Sequence, residues 1–189
     1  MGKTCCFIGH RKIDKSEAFS QKLERVIVGL IDEGADTFLF GSRSEFDDLC
    51  HRIVTKLQKR YPQIKRIMYN CRGEAVLTKE EKEKAEKSLS ESFQHEIILK
   101  DYDGKMMSDR LWSAGKASYV ERNEDMINAS DYCVFYYDPT YLPPKRKRAK
   151  SDASEYQPKS GTRLAFEYAN QRKRGGKELK IVNIAEPAV

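Results

Sequence analysis

Residues 4–11, with the sequence TCCFIGHR, decide the fold of this chain. Thr4–Ile8 is a short apolar run without polar interruption, which is typical of a strand that is buried on both faces of a parallel sheet. Gly9 ends the run, and residues 16–33 then carry apolar side chains at helical spacing. A buried strand, a glycine-containing turn and a helix form the first part of a βα unit.

The same alternation continues along the rest of the chain. Further strands are predicted at 37–40, 65–69, 131–137 and 179–184, and further helices at 45–61, 116–129 and 160–174. Ser16 is expected to cap the first helix and Gly34 to follow its end. These units predict an α/β fold that is Rossmann-like, with a mostly parallel sheet flanked by helices on both faces. We expect one domain over residues 1–189.

Two segments interrupt this regular pattern. Within residues 71–115 the sequence predicts a charged helix at 78–93, a short strand or extended connection at 95–99, and a loop at 101–115. Residues 139–159 form a long insertion that is rich in proline and lysine. Three interpretations of the insertion remain open: an unstructured basic loop, a lid over an anionic ligand, or an arm that contacts nucleic acid.

Composition excludes several classes of protein. The formal net charge is +6, but part of the excess lies in two local runs, 145–150 and 172–174, so it says little about partners. No apolar run reaches the roughly 20 residues that span a membrane. The five cysteines are odd in number and lack zinc-site spacing. We therefore predict reduced thiols, no metal, no cofactor and, since the N-terminal pattern is not that of a signal peptide, a cytoplasmic location.

Three loops are expected to meet at the carboxyl edge of the sheet, at residues 9–11, 41–43 and 160–162. In open α/β sheets, ligands bind outside the carboxyl ends of the strands. Each loop combines a glycine, which permits close approach of the backbone, with a hydroxyl or a cation. The candidate binding residues in these loops are Gly9, His10, Arg11, Gly41, Ser42, Arg43, Ser160, Gly161 and Thr162.

These candidates also have plainer interpretations. The helix start at Ser160–Thr162 attracts phosphate through its unpaired N–H groups, but it equally fits a simple helix cap. Arg11 and Arg43 fit a bidentate phosphate clamp or two unrelated surface arginines. His10 is an acid, a base, a hydrogen-bond donor or none of these. Asp47 either accepts a hydrogen bond from a ribose hydroxyl or interacts with the helix dipole.

Several motifs occur together in this chain: TCCFIGHR at 4–11, FGSRSEFD at 40–47, YVERNEDM at 119–126, Ser-Asp at 130–131 and Ser-Gly-Thr at 160–162. Together they resemble the SLOG superfamily, the Rossmann-like group that includes the LOG phosphoribohydrolases and DprA. The first two motifs are similar to those of a bacterial SLOG branch of uncharacterised function. The resemblance implies that the whole chain is a single SLOG-like domain.

The resemblance to LOG enzymes also assigns roles to particular residues. Arg122 falls where those enzymes carry a functional arginine, and Gly161 and Thr162 fall on the Gly-Thr of their phosphate loop. The enzymes place a catalytic glutamate two residues after the threonine, where this chain has Leu164. LOG-type hydrolysis is therefore in doubt, and we assign no catalytic residue.

Three functions follow from the resemblance. The first is a protein that senses or sequesters a phosphorylated, nucleotide-derived ligand, as implied for superfamily members in phage or mobile-element conflict; Arg122 and the 160–162 loop would hold phosphate, and Tyr119 would stack on a base. The second is a nucleoside 5′-monophosphate phosphoribohydrolase with a relocated acid, for which the candidates are Glu121, Asp47 and Glu167. The third is a DprA-like single-stranded nucleic-acid binder. No membrane partner is expected, and a homo-oligomer is one option because relatives pair through helices.

Overall fold

A computed structural model of the chain describes residues 2–13, 15–41, 44–70, 102–107, 116–143 and 159–185. The strands are β1 (Lys3–Gly9), β2 (Ala35–Phe40), β3 (Lys65–Asn70), β4 (Gly104–Met107), β5 (Tyr132–Tyr136) and β6 (Lys180–Asn183). The helices are α1 (Glu17–Asp32), α2 (Glu45–Gln58), α3 (Lys116–Asn128) and α4 (Gly161–Arg174). The strands and helices predicted outside 71–115 are therefore confirmed, with small shifts at their ends.

The six strands form one parallel sheet in the order β4-β3-β2-β1-β5-β6. The chain builds outward from β1 to β4 on one side and then returns to place β5 on the other side of β1. Cys6 of β1 consequently pairs with Leu39 of β2 and with Cys133 of β5. The carboxyl ends of β1 and β5 form the topological switch point, where doubly wound sheets bind their ligands.

Helices cover both faces of the sheet, which confirms the predicted Rossmann-like α/β architecture. Side chains of β1 alternate between the faces: Cys5 and Phe7 pack with residues of α1 and α2, whereas Cys6 and Ile8 pack with residues of α3 and α4. All four are buried. This double burial explains why β1 is a continuous apolar run.

The cysteines that the structure describes are reduced thiols in the core. Burial raises the pKa of Cys5, and a hydrogen bond with Cys6 together with burial raises the pKa of Cys133. Both groups are therefore neutral, packed thiols rather than nucleophiles.

Three helices begin with the same serine cap. The hydroxyl oxygens of Ser16, Ser44 and Ser160 accept the backbone N–H three residues later, at 3.2, 3.1 and 3.0 Å. The cap predicted at Ser16 is confirmed, and at Ser160 the helix-cap interpretation is confirmed. Gly34, expected after α1, has a positive φ of 101°, a conformation that L side chains disfavour.

The loop predicted at 101–115 is wrong at Gly104–Met107, which forms the edge strand β4 beside β3. This strand is only four residues long and has no alternating pattern. Its position depends on a distant contact: Asp103 accepts the backbone N–H of Arg66 at 2.7 Å and pairs with the Arg66 guanidinium at 2.9 Å. The helix predicted at 78–93 and the strand predicted at 95–99 lie outside the described residues.

No helix in the described ranges is both long enough and apolar enough to cross a bilayer. The same ranges contain no group of three or more histidine, cysteine or acidic side chains that is arranged to hold a metal ion.

Candidate functional site

A cavity of about 480 Å³ opens at the switch point between β1 and β5. It lies at the edge of the sheet that the sequence predicted for ligand binding. Five parts of the chain contribute to it: the end of β1, the capping residue Ser44 of α2, the first half of α3, the segment after β5, and the start of α4. The described lining includes Gly9, His10, Arg11, Ser44, Tyr119, Arg122, Asn123, Tyr141, Pro143, Lys159, Ser160, Gly161 and Thr162.

The β1 side of the cavity is shaped by the Gly-His-Arg turn. A Cβ atom at Gly9 would lie 2.4 Å from the Phe46 ring, so a glycine is required where α2 packs over the strand end. His10 is buried, with its ring 4.3 Å from the ring of Tyr141. Burial lowers the pKa of His10, against the raising effect of its contacts with Asp138. Arg11 is exposed at the cavity rim.

The start of α4 forms the opposite wall. Ser160 caps the helix and lines the cavity at the same time, so the cap and the binding interpretations of this residue are compatible. Ser160 and Thr162 are both buried. Gly161 differs from Gly9, because a Cβ atom there would meet no atom within 4 Å. Its backbone therefore faces open space.

Arg122 reaches the cavity from α3. The side chain is 2% exposed, and its guanidinium lies 5.1 Å from the centre of the Tyr119 ring. A Cβ atom at Gly41 would lie 2.9 Å from Arg122 Nε and 2.6 Å from Met126 Sδ. The glycine at the end of β2 thus makes room for the arginine.

The charged side chains in the described lining are all basic. They are Arg11, Arg122 and Lys159, with the buried His10 beside them, and no carboxylate belongs to this part of the wall. Lys159 Nζ also donates to Glu167 Oε2 at 2.7 Å, outside the cavity lining. The cavity therefore combines a helix N-terminus with three cations, an arrangement that favours an anion.

A protein-family model described as the YspA SLOG family matches residues 8–168 of the chain. This chain belongs to the YspA SLOG family. The predicted membership of the SLOG superfamily is thereby confirmed. No curated protein matches the chain significantly. The matched region of this SLOG protein runs from the end of β1 into α4, so it includes every segment that lines the cavity.

The candidate site residues of this SLOG protein fall into three groups. Gly9, His10, Arg11, Tyr119, Arg122, Ser160, Gly161 and Thr162 line one cavity. Gly41 and Asp47 are not part of the described lining; the Asp47 carboxylate accepts the Gly41 N–H at 3.3 Å and is buried. Ser42 and Arg43 lie outside the described residues.

The three acids considered for hydrolysis by a SLOG enzyme are absent from the described lining. Asp47 is held within the protein as above. Glu167 forms ion pairs with Lys159 and Arg163, and these hydrogen bonds lower its pKa. Glu121 is half-buried on α3, and its Oε2 has no hydrogen-bond partner in the described part of the chain.

Sequence reasoning missed several lining residues, including Asn123, Tyr141, Pro143 and Lys159. Two of them had a local signal: Asn123 follows Arg122, and Lys159 precedes the capping Ser160. Tyr141 and Pro143 belong to the insertion, and nothing in their local pattern indicates that they return to the end of β1.

Proposed function

We propose that this SLOG protein binds a phosphorylated, nucleotide-derived ligand in the switch-point cavity and acts as a sensor or sequestering protein. The observation that carries the proposal is the charge of the described lining, in which basic side chains surround the open start of α4. The setting of phage or mobile-element conflict is implied by the resemblance. A cytoplasmic location and a homo-oligomeric state stay predictions.

The phosphate end of the ligand is assigned to the first turn of α4. This turn offers backbone N–H groups and the positive end of the helix dipole. Ser160 Oγ accepts the Arg163 N–H, and its hydroxyl proton remains able to donate to an anion. Because Arg122 is almost fully buried, solvent screens its charge much less than it screens a surface arginine.

The nucleoside end is assigned to Tyr119. Its side chain is among the exposed large hydrophobic groups of the described chain, and it lies on the same helix as Arg122, one turn away. An aromatic ring beside a phosphate-binding cation is a platform for base stacking. The cavity volume is within the usual range of small-molecule sites, roughly 300 to 1,000 Å³.

Binding is favoured over hydrolysis by the chemistry of the wall. Cleavage of an N-glycosidic bond needs a carboxylate that stabilises an oxocarbenium-like centre or activates water. Leu164 occupies the position of the enzymes' glutamate, and no acid lines the cavity among the described residues. The nucleic-acid alternative rests on the 139–159 insertion, most of which lies outside the described residues, so no observation favours it here.

Calorimetry tests the proposal with adenosine 5′-monophosphate, adenosine and inorganic phosphate as separate probes, followed by a wider nucleotide panel. We expect phosphorylated nucleotides to bind and the nucleoside to fail. The Arg122→Gln variant should bind about 10- to 100-fold more weakly, since hydrogen bonds to charged groups contribute about 1.5–3 kcal/mol. Arg122→Lys, which keeps the charge, serves as the control, with circular dichroism on both variants.

Two results would overturn this assignment. If no nucleotide in the panel binds, the proposal of a phosphorylated, nucleotide-derived ligand is contradicted. Release of free base from a nucleoside monophosphate, detected by chromatography, would show that the protein is the hydrolase that we disfavour.

A further inference from the structure

The segment Tyr137–Pro143, which we call the strap, runs from the end of β5 to the cavity mouth. Its residues Tyr141 and Pro143 form part of the cavity wall. The strap lies beyond the last paired residues of β5 and β6, Phe135 and Asn183. Two side chains from elsewhere in the fold nevertheless contact its first two peptide units.

Asn183 holds the first residue of the strap. Its Oδ1 accepts the Tyr137 N–H at 3.0 Å, and its Nδ2 donates to the Tyr137 carbonyl at 2.9 Å. The amide thereby continues the β5–β6 hydrogen-bond ladder past the end of the strands. The Tyr137 ring is also fixed, because it stacks on Phe166 of α4 at 4.7 Å.

His10 holds the second residue of the strap. Its Nε2 lies 3.1 Å from the Asp138 nitrogen and 3.3 Å from the Asp138 carbonyl oxygen. A backbone N–H can only donate, so the shorter contact requires Nε2 to accept and places the ring proton on Nδ1. The Asp138 carboxylate is engaged separately by the Thr140 N–H and hydroxyl.

We propose that His10 and Asn183 are positioning residues that hold the strap as a wall of the cavity, and that His10 does so as a neutral imidazole. A protonated His10 would direct an Nε2–H at the Asp138 N–H and would keep only the longer contact with the carbonyl. The strap would then lose one of its two side-chain hydrogen-bond attachments, those of His10 and Asn183. The wall that a ligand meets therefore depends on the charge of a residue in the turn that follows the neighbouring strand β1.

The pH dependence follows from the groups around His10. Burial lowers its pKa below the ordinary value of 6.5, while the contacts with Asp138 oppose that change. The other titratable groups around it are Tyr136 of β5, Tyr137 and Tyr141 of the strap, and Arg11 of its own turn. A histidine with a lowered pKa contributes its stabilisation fully above about pH 6.5 and loses it as the pH falls through the folded-state pKa. The strap should accordingly be held at neutral pH and released in acid.

Two amide variants separate the attachment of the strap by His10 from other roles of this residue. The amide of His10→Gln reaches the position of Nε2, and it both accepts from the Asp138 N–H and donates to the carbonyl at any pH. The amide of His10→Asn reaches only the position of Nδ1 and falls short of the strap. We compare them by NMR hydrogen exchange of the Tyr137 and Asp138 amides, expressed as protection factors between pH 5 and pH 7.5.

In the unmodified protein we expect the protection of Asp138 to fall about five- to tenfold across this range, as for the loss of one hydrogen bond. His10→Gln should be protected without pH dependence, and His10→Asn should be weakly protected throughout. Asn183→Leu should lower the protection of Tyr137 at every pH, because it removes the oxygen that accepts the Tyr137 N–H. The proposal is overturned if the protection of Asp138 in the unmodified protein does not depend on pH, or if the Gln and Asn variants of His10 are protected alike. The amide of Leu39 in the centre of the sheet is the control, because its exchange reports on global unfolding.

A second arm measures the affinity for adenosine 5′-monophosphate, and this arm alone rests on the proposed function. Phosphate itself titrates near pH 6, so His10→Gln provides the reference curve. We expect the affinity of the unmodified protein to fall more steeply in acid than that of His10→Gln. If no variant binds the nucleotide, the proposed function fails while the exchange data still decide the role of the strap; parallel affinity curves contradict the link between strap and ligand.

Discussion

The starts of α2 and α4 use the same local geometry in opposite electrostatic settings. Ser44 and Ser160 each cap their helix by accepting the N–H three residues on. The first turn of α2 carries Glu45, Asp47 and Asp48, whereas the first turn of α4 carries no acid. The positive end of α2 is therefore complemented by its own side chains, and that of α4 is not.

The surroundings increase this difference. Asp47 accepts the N–H of Gly41, so the α2 start is tied to the end of β2. Both capping serines, Ser44 and Ser160, line the cavity. Only at α4 do residues of the first turn, Gly161 and Thr162, line it as well, together with the cations Arg122 and Lys159. A capping serine thus does not identify a binding site. The acid content of the first turn and the charge of the facing wall separate a structural helix start from one that is open to an anion.

The largest effect is expected when the α4 start is made to resemble that of α2. Gly161→Asp places a carboxylate in open space at the cavity, with no atom within 4 Å of the new Cβ. Two unit charges about 4 Å apart interact by about 4 kcal/mol at an effective dielectric constant near 20, so we expect nucleotide affinity to fall at least about 100-fold. The melting temperature should stay the same or rise, because an acid in the first turn stabilises a helix.

The neutral control for that change is Gly161→Asn, which has nearly the same shape. It should bind much better than the aspartate variant in the same titration. Equal affinities of the two variants would mean that the helix start is not where the phosphate binds.

A second variant acts on the cation rather than on the helix. Gly41→Ala pushes a methyl group against Arg122 and Met126, at distances that require both side chains to move. We expect about tenfold weaker nucleotide binding and a loss of about 1–3 kcal/mol in the free energy of unfolding, as is usual for overpacking. Gly161→Ala is the matched control for stability and should lose none, because a Cβ atom there meets no atom within 4 Å and alanine favours a helix over glycine. Chemical denaturation measures the free energy of unfolding, and calorimetry measures the nucleotide affinity. An unchanged affinity in Gly41→Ala would mean that Arg122 does not contribute to the binding site.

Removing the serine caps distinguishes effects on stability from effects on nucleotide binding. Ser160→Ala and Ser16→Ala each delete one hydroxyl that accepts a backbone N–H, and each should cost about 1 kcal/mol of stability. Only Ser160→Ala should also weaken nucleotide binding, by about threefold to tenfold, since a neutral hydrogen bond contributes about 1 kcal/mol. A loss of affinity of the same size in Ser16→Ala would indicate a general effect of helix stability.

The smallest effect concerns Glu167. Its ion pair holds Lys159 away from full engagement with an anion, so Glu167→Gln should raise nucleotide affinity by about twofold to threefold, as expected for a surface pair. Lys159→Gln should change it in the opposite direction. A catalytic acid would behave differently, because its removal would abolish base release without improving affinity.

Most of the fold was predictable because its signals are local. The apolar run of β1, the helical spacing of α1 and the caps at Ser16 and Ser160 each depend on residues within a few positions of one another. Strand β4 was missed because the Asp103–Arg66 ion pair that anchors it joins residues far apart in sequence. The close approach of Arg122 to Gly41 was not predictable either, since it exists only once α3 packs across the sheet.

The sequence by itself determined the order of βα units, the capped helix starts and the membership of the SLOG superfamily, because periodicity, capping and motif residues are carried by contiguous chain. The tertiary structure decided which of those residues share a cavity. The strand order places β5 beside β1, and this brings His10, Arg122 and Ser160 to the same cavity. Asp47 stays outside the described lining of that cavity. Such a selection depends on strand order and helix packing, since these set the distances between side chains that are far apart along the chain.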